Sequence, residues 1–393
     1  MKKSITYSLS VVLILLTTLA NTTFCQPYPI GSRQITFNDP ARSRNIAARV
    51  YYPATVAGTD VNFANGSFPL LIFGHGFSMS YDAYLNFRDT LVPMGYILVL
   101  PTTEVGPIPF PNHEDFAADL KFLNQFIKSQ NTVSTSVFYG RVSGKSAIMG
   151  HSMGGGASIL ASAGNQDITT MIVFAPAETN TSAIDAATGV EVPALVFSGE
   201  LDGVTLPNET HIPMYDNLGS SCKTFVNILG GGHCLYALSN WACDFGESSS
   251  SPQPTITREE QQITVFSLLK PYLQYNLYDD ASMGLDFINK LNSSTQITFN
   301  RDCSTVNIQD HIYDLSVNIN PNPANNSVEI NLSNFSNQNN KIEVVNIYGT
   351  ILKTLYSSEK NTLLDLSDLP EGLFNIRISN ENSKISKKLL IIR

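Results

Sequence analysis

The chain has 393 residues, of which 43% are hydrophobic and only 15% charged, so it carries ample material for a core under a sparsely charged surface. Its net charge of -9 gives it no electrostatic reason to hold nucleic acid, since binding phosphates needs clustered Lys and Arg. No nucleic-acid partner is expected, and neutral or apolar substrates suit this balance better.

In chain order, Lys2 and Lys3 precede a short apolar run from Leu9 to Leu16, and Thr23 and Cys25 stand at -3 and -1 before Gln26. This is the layout of a signal peptide over residues 1–25, too short in its apolar part for a permanent span. Lipidation at Cys25 is disfavoured, because Thr22-Thr23-Phe24 lacks the small residues that precede a lipidated cysteine. The four remaining cysteines, Cys222, Cys234, Cys243 and Cys303, suggest two disulfides in an exported chain. Three connectivities are open; we favour Cys234–Cys243 with Cys222–Cys303. Without a CxxC pair a zinc site is not expected.

From Gln34 to about Lys270 strands and helices alternate. Ala47 to Tyr52, Leu70 to Phe73 and Tyr96 to Leu100 read as strands. Asp115 to Ile127 reads as an amphipathic helix, with Phe116, Leu120, Leu123 and Ile127 at helical spacing. Ser146 to Met149 is a buried strand, followed by a small-residue helix from Ser152 to Ala163. Met171 to Phe174, Ala194 to Phe197 and Phe225 to Leu229 are further strands. The stretch from Gly246 to Pro254 reads as a surface loop, and Glu259 to Leu273 as a late helix. This order predicts an α/β fold with a mostly parallel sheet and helices on both faces. After about His311 the composition turns to Asn and Ser. Val328 to Leu332, Ile342 to Val345, Phe374 to Ile378 and Leu389 to Ile392 then predict a small all-β module, with its first turn at Pro321-Asn322-Pro323. The expected division is residues 1–25, a catalytic domain over 26–310 and a β-module over 311–393.

Gly150-His151-Ser152-Met153-Gly154 matches G-x-S-x-G between an apolar strand and a helix, the context in which a strained turn lifts a serine nucleophile above an α/β-hydrolase sheet. A serine needs a base. In this fold the acid and then the histidine follow the nucleophile in the chain. Of His211, His233 and His311, only His233 lies directly after a strand, in Gly230-Gly231-Gly232-His233. His211 falls in a helical stretch and His311 at the domain end. The acid should follow Ala194–Phe197, where Asp202 is preferred and Glu200 is the alternative. The oxyanion hole is expected from the backbone N–H of Met153 and of Phe77, the latter in Gly74-His75-Gly76-Phe77 after the Leu70–Phe73 strand. His75 reads as a brace for that loop.

These motifs, with Gly199-Glu200-Leu201-Asp202 and Thr210-His211-Ile212-Pro213-Met214-Tyr215-Asp216-Asn217-Leu218, resemble the cutinase-like polyester hydrolases, including poly(ethylene terephthalate) hydrolases, over roughly Phe68 to Lys270. The resemblance implies an α/β-hydrolase fold and a secreted serine carboxylesterase acting on polyesters, with a small-molecule or glyceride esterase as the alternative. It implies no cofactor and no metal, and apolar subsites at Phe77, Met153 and Val204. The aromatic residue this family carries after the proline following Phe174 is absent, since Pro176 leads into Ala177 and Glu178. Trp241, the single tryptophan, either substitutes for it or packs beneath the Cys234–Cys243 loop. The tail, through Asn320-Pro321-Asn322-Pro323, Val345-Asn346-Ile347-Tyr348-Gly349 and Leu369-Pro370-Glu371-Gly372, resembles the C-terminal sorting domain of the type IX secretion system. That resemblance implies handling by the type IX machinery and release outside a Gram-negative cell or display on its outer-membrane surface. A monomer is expected.

Overall fold

The computed structural model describes residues 27–303, 317–332, 340–346, 351–379 and 384–393. The expected signal peptide and the expected boundary near residue 311 lie outside these residues. Ten strands form one sheet: β1 (Ile30–Asp39), β2 (Arg44–Pro53), β3 (Gly58–Thr59), β4 (Phe68–Gly74), β5 (Ile97–Pro101), β6 (Val142–His151), β7 (Thr170–Phe174), β8 (Ala194–Gly199), β9 (Cys222–Ile228) and β10 (Ile297–Cys303). Their order is β10-β9-β8-β7-β6-β4-β5-β2-β1-β3. From β9 to β5 all neighbours are parallel, and antiparallel pairs β10–β9 and β5–β2–β1 flank this centre.

The helices are α1 (Leu85–Leu91), α2 (His113–Ser129), α3 (Met153–Ser162), α4 (Ala183–Ala186), α5 (His211–Asn217), α6 (Trp241–Ser248), α7 (Arg258–Tyr278) and α8 (Ala281–Ser293). Alternation along each strand feeds two cores. Leu70, Ile72, Ile148 and Val173 join Leu120 and Leu123 of α2 on one face. Leu71, Phe73, Met149 and Phe174 join Phe87 of α1, Leu268 of α7 and Phe287 of α8 on the other. A strand buried on both faces reads as a continuous apolar run, which is why the central strands were legible in the sequence.

The sheet is larger than expected. β1 carries polar residues at exposed positions, and β10 (Ile-Thr-Phe-Asn-Arg-Asp-Cys) buries only its first residue, so neither shows an apolar run. α8 was also not expected. The segment from Gly246 is not wholly a loop: α6 runs on to Ser248, capped by the Asn240 side chain and held by buried Glu247. Both favoured disulfides are formed, Cys222–Cys303 joining β9 to β10 and Cys234–Cys243 joining the loop after β9 to α6.

The C-terminal residues form β11 (Asn318–Asn320), β12 (Ser327–Asn331), β13 (Asn340–Asn346), β14 (Ile351–Ser357), β15 (Asn361–Asp365), β16 (Gly372–Ser379) and β17 (Lys384–Ile391). They pair antiparallel in two sheets, β11-β12-β15 and β14-β13-β16-β17, around a core of Val328, Ile330, Val344, Leu366 and Ile376. All four expected strands are present. β14 and β15 were not expected, since their outward residues are partly apolar and blur the alternation.

Candidate active site

Four parallel strands deliver the predicted residues at their carboxyl ends, where open α/β sheets bind ligands. Phe77 follows β4, Ser152 follows β6, Asp202 follows β8 and His233 follows β9. Ser152 has φ 56° and ψ -123°, a conformation an L-residue adopts only where its surroundings enforce it. Glycine at 150 and 154 permits the turn. A Cβ on Gly150 would lie 2.1 Å from the Gly154 carbonyl oxygen, and one on Gly154 would lie 2.2 Å from that of Gly74.

The three side chains meet. Ser152 Oγ lies 2.9 Å from His233 Nε2, and His233 Nδ1 lies 2.8 Å from Asp202 Oδ2. Asp202 and His233 are buried, and Ser152 is partly exposed. Asp202 also accepts the N–H groups of Val204 and Thr205 at Oδ1 (2.9 and 2.8 Å) and the Thr205 hydroxyl at Oδ2 (3.0 Å). Burial alone would raise its pKa, but His233 and these donors hold it below the ordinary carboxylate value. Glu200, the alternative acid, instead accepts the Gly230 N–H. Among the described residues, the N–H groups of Phe77 and Met153 take no part in the turn and loop hydrogen bonds around them. His75 braces its loop as expected, with Nε2 2.8 Å from the Thr103 carbonyl.

Several partners escaped the sequence. His233, not His211, is the ring facing Ser152, yet His211 stands behind Asp202. Its Nε2 is 2.9 Å from Thr205 Oγ1, and its Nδ1 is 2.8 Å from Ser198 Oγ. The Thr205 hydroxyl donates to Asp202, so His211 Nε2–H donates to Thr205 and Nδ1 accepts from Ser198. A second chain lies beneath. His151 Nε2 is 2.9 Å from the His233 carbonyl, which can only accept. Nε2 therefore carries the proton, and Nδ1 accepts from the Tyr84 hydroxyl at 2.9 Å. Tyr84 in turn accepts the Gly76 N–H at 2.8 Å, next to Phe77. Glu247 of α6 accepts the N–H groups of His233 and Cys234. Thr205 could have been found from its position three residues after the acid; Tyr84 and Glu247 carry no local signal.

Burial lowers the His151 pKa to about 3 and the His211 pKa to about 4. Unfolded, both rings take up a proton near pH 6.5, whereas the folded protein keeps them neutral. Their contribution to stability is complete above pH 6.5 and is lost as the pH falls towards 4 and 3. At pH 5 each ring costs about 2 kcal/mol. The unfolding free energy from urea titration is therefore expected to drop by about 4 kcal/mol between pH 7.5 and pH 5. A value unchanged over that range would mean that both rings are charged or solvated in the folded protein.

Of the residues expected near substrate, Met153 is buried and Phe77 and Val204 are exposed. Trp241 does not pack beneath the disulfide loop. It opens α6 with 81% of its surface free, because Asn240 caps the helix and Cys243 and Glu247 are the residues turned inward.

Residues 41–247 match the family model described as PET hydrolase-like, and residues 318–392 match the secretion system C-terminal sorting domain. No curated protein matches the chain. The sorting domain marks a protein handled by the type IX machinery and delivered to the cell surface or beyond it. With more than half its length covered by the first match and an α/β sheet of the corresponding kind beneath it, the chain belongs to the PET hydrolase-like family of ester hydrolases.

Proposed function

We propose that this protein is a secreted serine carboxylesterase that cleaves ester bonds of polyesters of the cutin or poly(ethylene terephthalate) kind. The observation that carries this reading is the unbroken chain from Ser152 Oγ through His233 to Asp202, at 2.9 and 2.8 Å, on a serine held in a strained turn. Ser152 attacks the ester carbonyl while His233 Nε2 takes its proton. The N–H groups of Phe77 and Met153 receive the oxyanion. The tetrahedral intermediate then collapses to an acyl-enzyme, and His233 returns the proton to the leaving alcohol. Water, deprotonated by the same imidazole, releases the acid. Asp202 holds the ring in the required tautomer.

Phe77, Met153, Val204 and Trp241 form the apolar surroundings of the scissile ester. Residues 1–25 are the leader, 26–310 the catalytic domain and 311–393 the sorting domain; the enzyme works as a monomer without a cofactor. A fluorophosphonate probe is expected to label Ser152. Incubation with amorphous poly(ethylene terephthalate) film is expected to release aromatic acid. Labelling without any acid from film, alongside brisk turnover of soluble esters, would assign the enzyme to small-molecule or glyceride esters instead.

A further inference from the structure

Between β5 and α2 the chain reads Glu104-Val105-Gly106-Pro107-Ile108-Pro109-Phe110-Pro111-Asn112. β5 is the parallel neighbour of β4, so this loop emerges at the same end of the sheet as the oxyanion loop. Ile108 is 93% exposed and Phe110 71% exposed. No charged residue lies between Val105 and Pro111. Large apolar side chains presented together to water mark contact surfaces.

The loop is tied down rather than loose. The Glu104 carboxylate accepts the Asn112 N–H at 2.6 Å, closing the two ends, and is itself paired with Arg44 at 2.6 Å. The Ser78 N–H donates to the Val105 carbonyl at 2.8 Å. Three prolines fix φ along the exposed stretch. The Phe110 ring lies 5.5 Å from that of Phe77, and a Cβ on Gly106 would come within 3.0 Å of the Phe77 ring. The apolar loop thus continues, without a charged gap, from the residue whose N–H faces the proposed oxyanion.

We propose that this loop is a docking rail for a polyester chain, with Ile108 and Phe110 holding uncharged aryl or alkyl units that lie beyond the scissile ester. The proposal rests on the ester-hydrolase reading of Ser152 and names the part of the substrate it recognises. On this proposal the rail engages the extended chain and not the scissile ester group itself. Its lack of charge suits a polymer without ionic groups, and its fixed shape means that little conformational entropy is lost on contact.

Adsorption separates this from catalysis. Full-length Ser152→Ala protein is to be titrated onto amorphous poly(ethylene terephthalate) film, alone and with Ile108→Ser/Phe110→Ser added. Near-ultraviolet circular dichroism confirms that each variant is folded. Tyr139→Ser serves as the control, since Tyr139 is exposed but lies before the start of β6, at the opposite end of the sheet. The double substitution is expected to weaken adsorption about five- to ten-fold, while the control leaves it unchanged. Equal isotherms for parent and double variant, or an equal loss in the Tyr139→Ser control, would overturn the rail. Residual ester turnover by Ser152→Ala would instead fault the assignment of the nucleophile, leaving the adsorption result readable.

Discussion

Replacing Ser152 by alanine is expected to lower kcat on a soluble p-nitrophenyl ester by about 10⁴-fold or more, since the acyl-enzyme then has no atom on which to form. The fold should survive, because the strained turn is imposed by the close approach of Gly150, Gly154 and Gly74 and not by the hydroxyl. Only one hydrogen bond of the Ser152 side chain is lost, the one to His233. His233→Ala should cost nearly as much as Ser152→Ala, and the double variant little more than either. Residues that act as one unit are not additive. Turnover near the parental rate in Ser152→Ala, or two costs that multiply, would remove this serine from the mechanism.

The extent of such losses depends on how firmly the loops are held, and here they are held from behind. Tyr84 and His151 connect the Gly76 N–H to the His233 carbonyl, and Glu247 grips the His233 N–H from the other side. The proposed general base, His233, is thus fixed by its own peptide groups as well as by its ring. The proposed oxyanion loop shares one buried strut with it. Preorganisation of this kind is what lets donors stabilise developing charge without rearranging.

The elements that were legible in the sequence are those whose physics is local. The central strands announce themselves because both faces are buried. The nucleophile turn does so because only glycine fits at 150 and 154. Asp202 and His233 follow from chain order and strand ends. What was not legible depends on long-range contact. β10 is a strand through its pairing with β9, not through its own pattern. His211 looks like any polar residue starting a helix until β8 and α5 bring it under Asp202, 3.8 Å away. Trp241 was ambiguous because a tryptophan near a disulfide packs well in either direction; the Asn240 cap and the inward Glu247 decide which face of α6 meets water.

The surroundings of Asp202 lead to the sharpest test of its role. In Asp202→Asn the side chain keeps its shape but gains two N–H donors. Its oxygen must stay at the Oδ1 position, where the N–H groups of Val204 and Thr205 already point at it from 2.9 and 2.8 Å. The amide nitrogen is therefore forced to the Oδ2 position, facing His233 Nδ1 at 2.8 Å. The amide N–H donates, so His233 Nδ1 must accept, and the imidazole proton moves to Nε2 and points at Ser152 Oγ. The base is left without a lone pair for the serine proton. Thr205, no longer donating to a carboxylate, can turn its hydroxyl elsewhere, and His211 loses nothing but the charge nearby. The substitution is thus expected to cost about 10⁴-fold in kcat with little change in KM, as expected for an acid that holds the tautomer. Glu200→Gln, which touches only the Gly230 N–H, should leave kcat within about two-fold, since surface changes away from reacting atoms have small effects. Steady-state kinetics on a soluble ester read both numbers. A large loss in Glu200→Gln with a small one in Asp202→Asn would reverse the assignment of the acid.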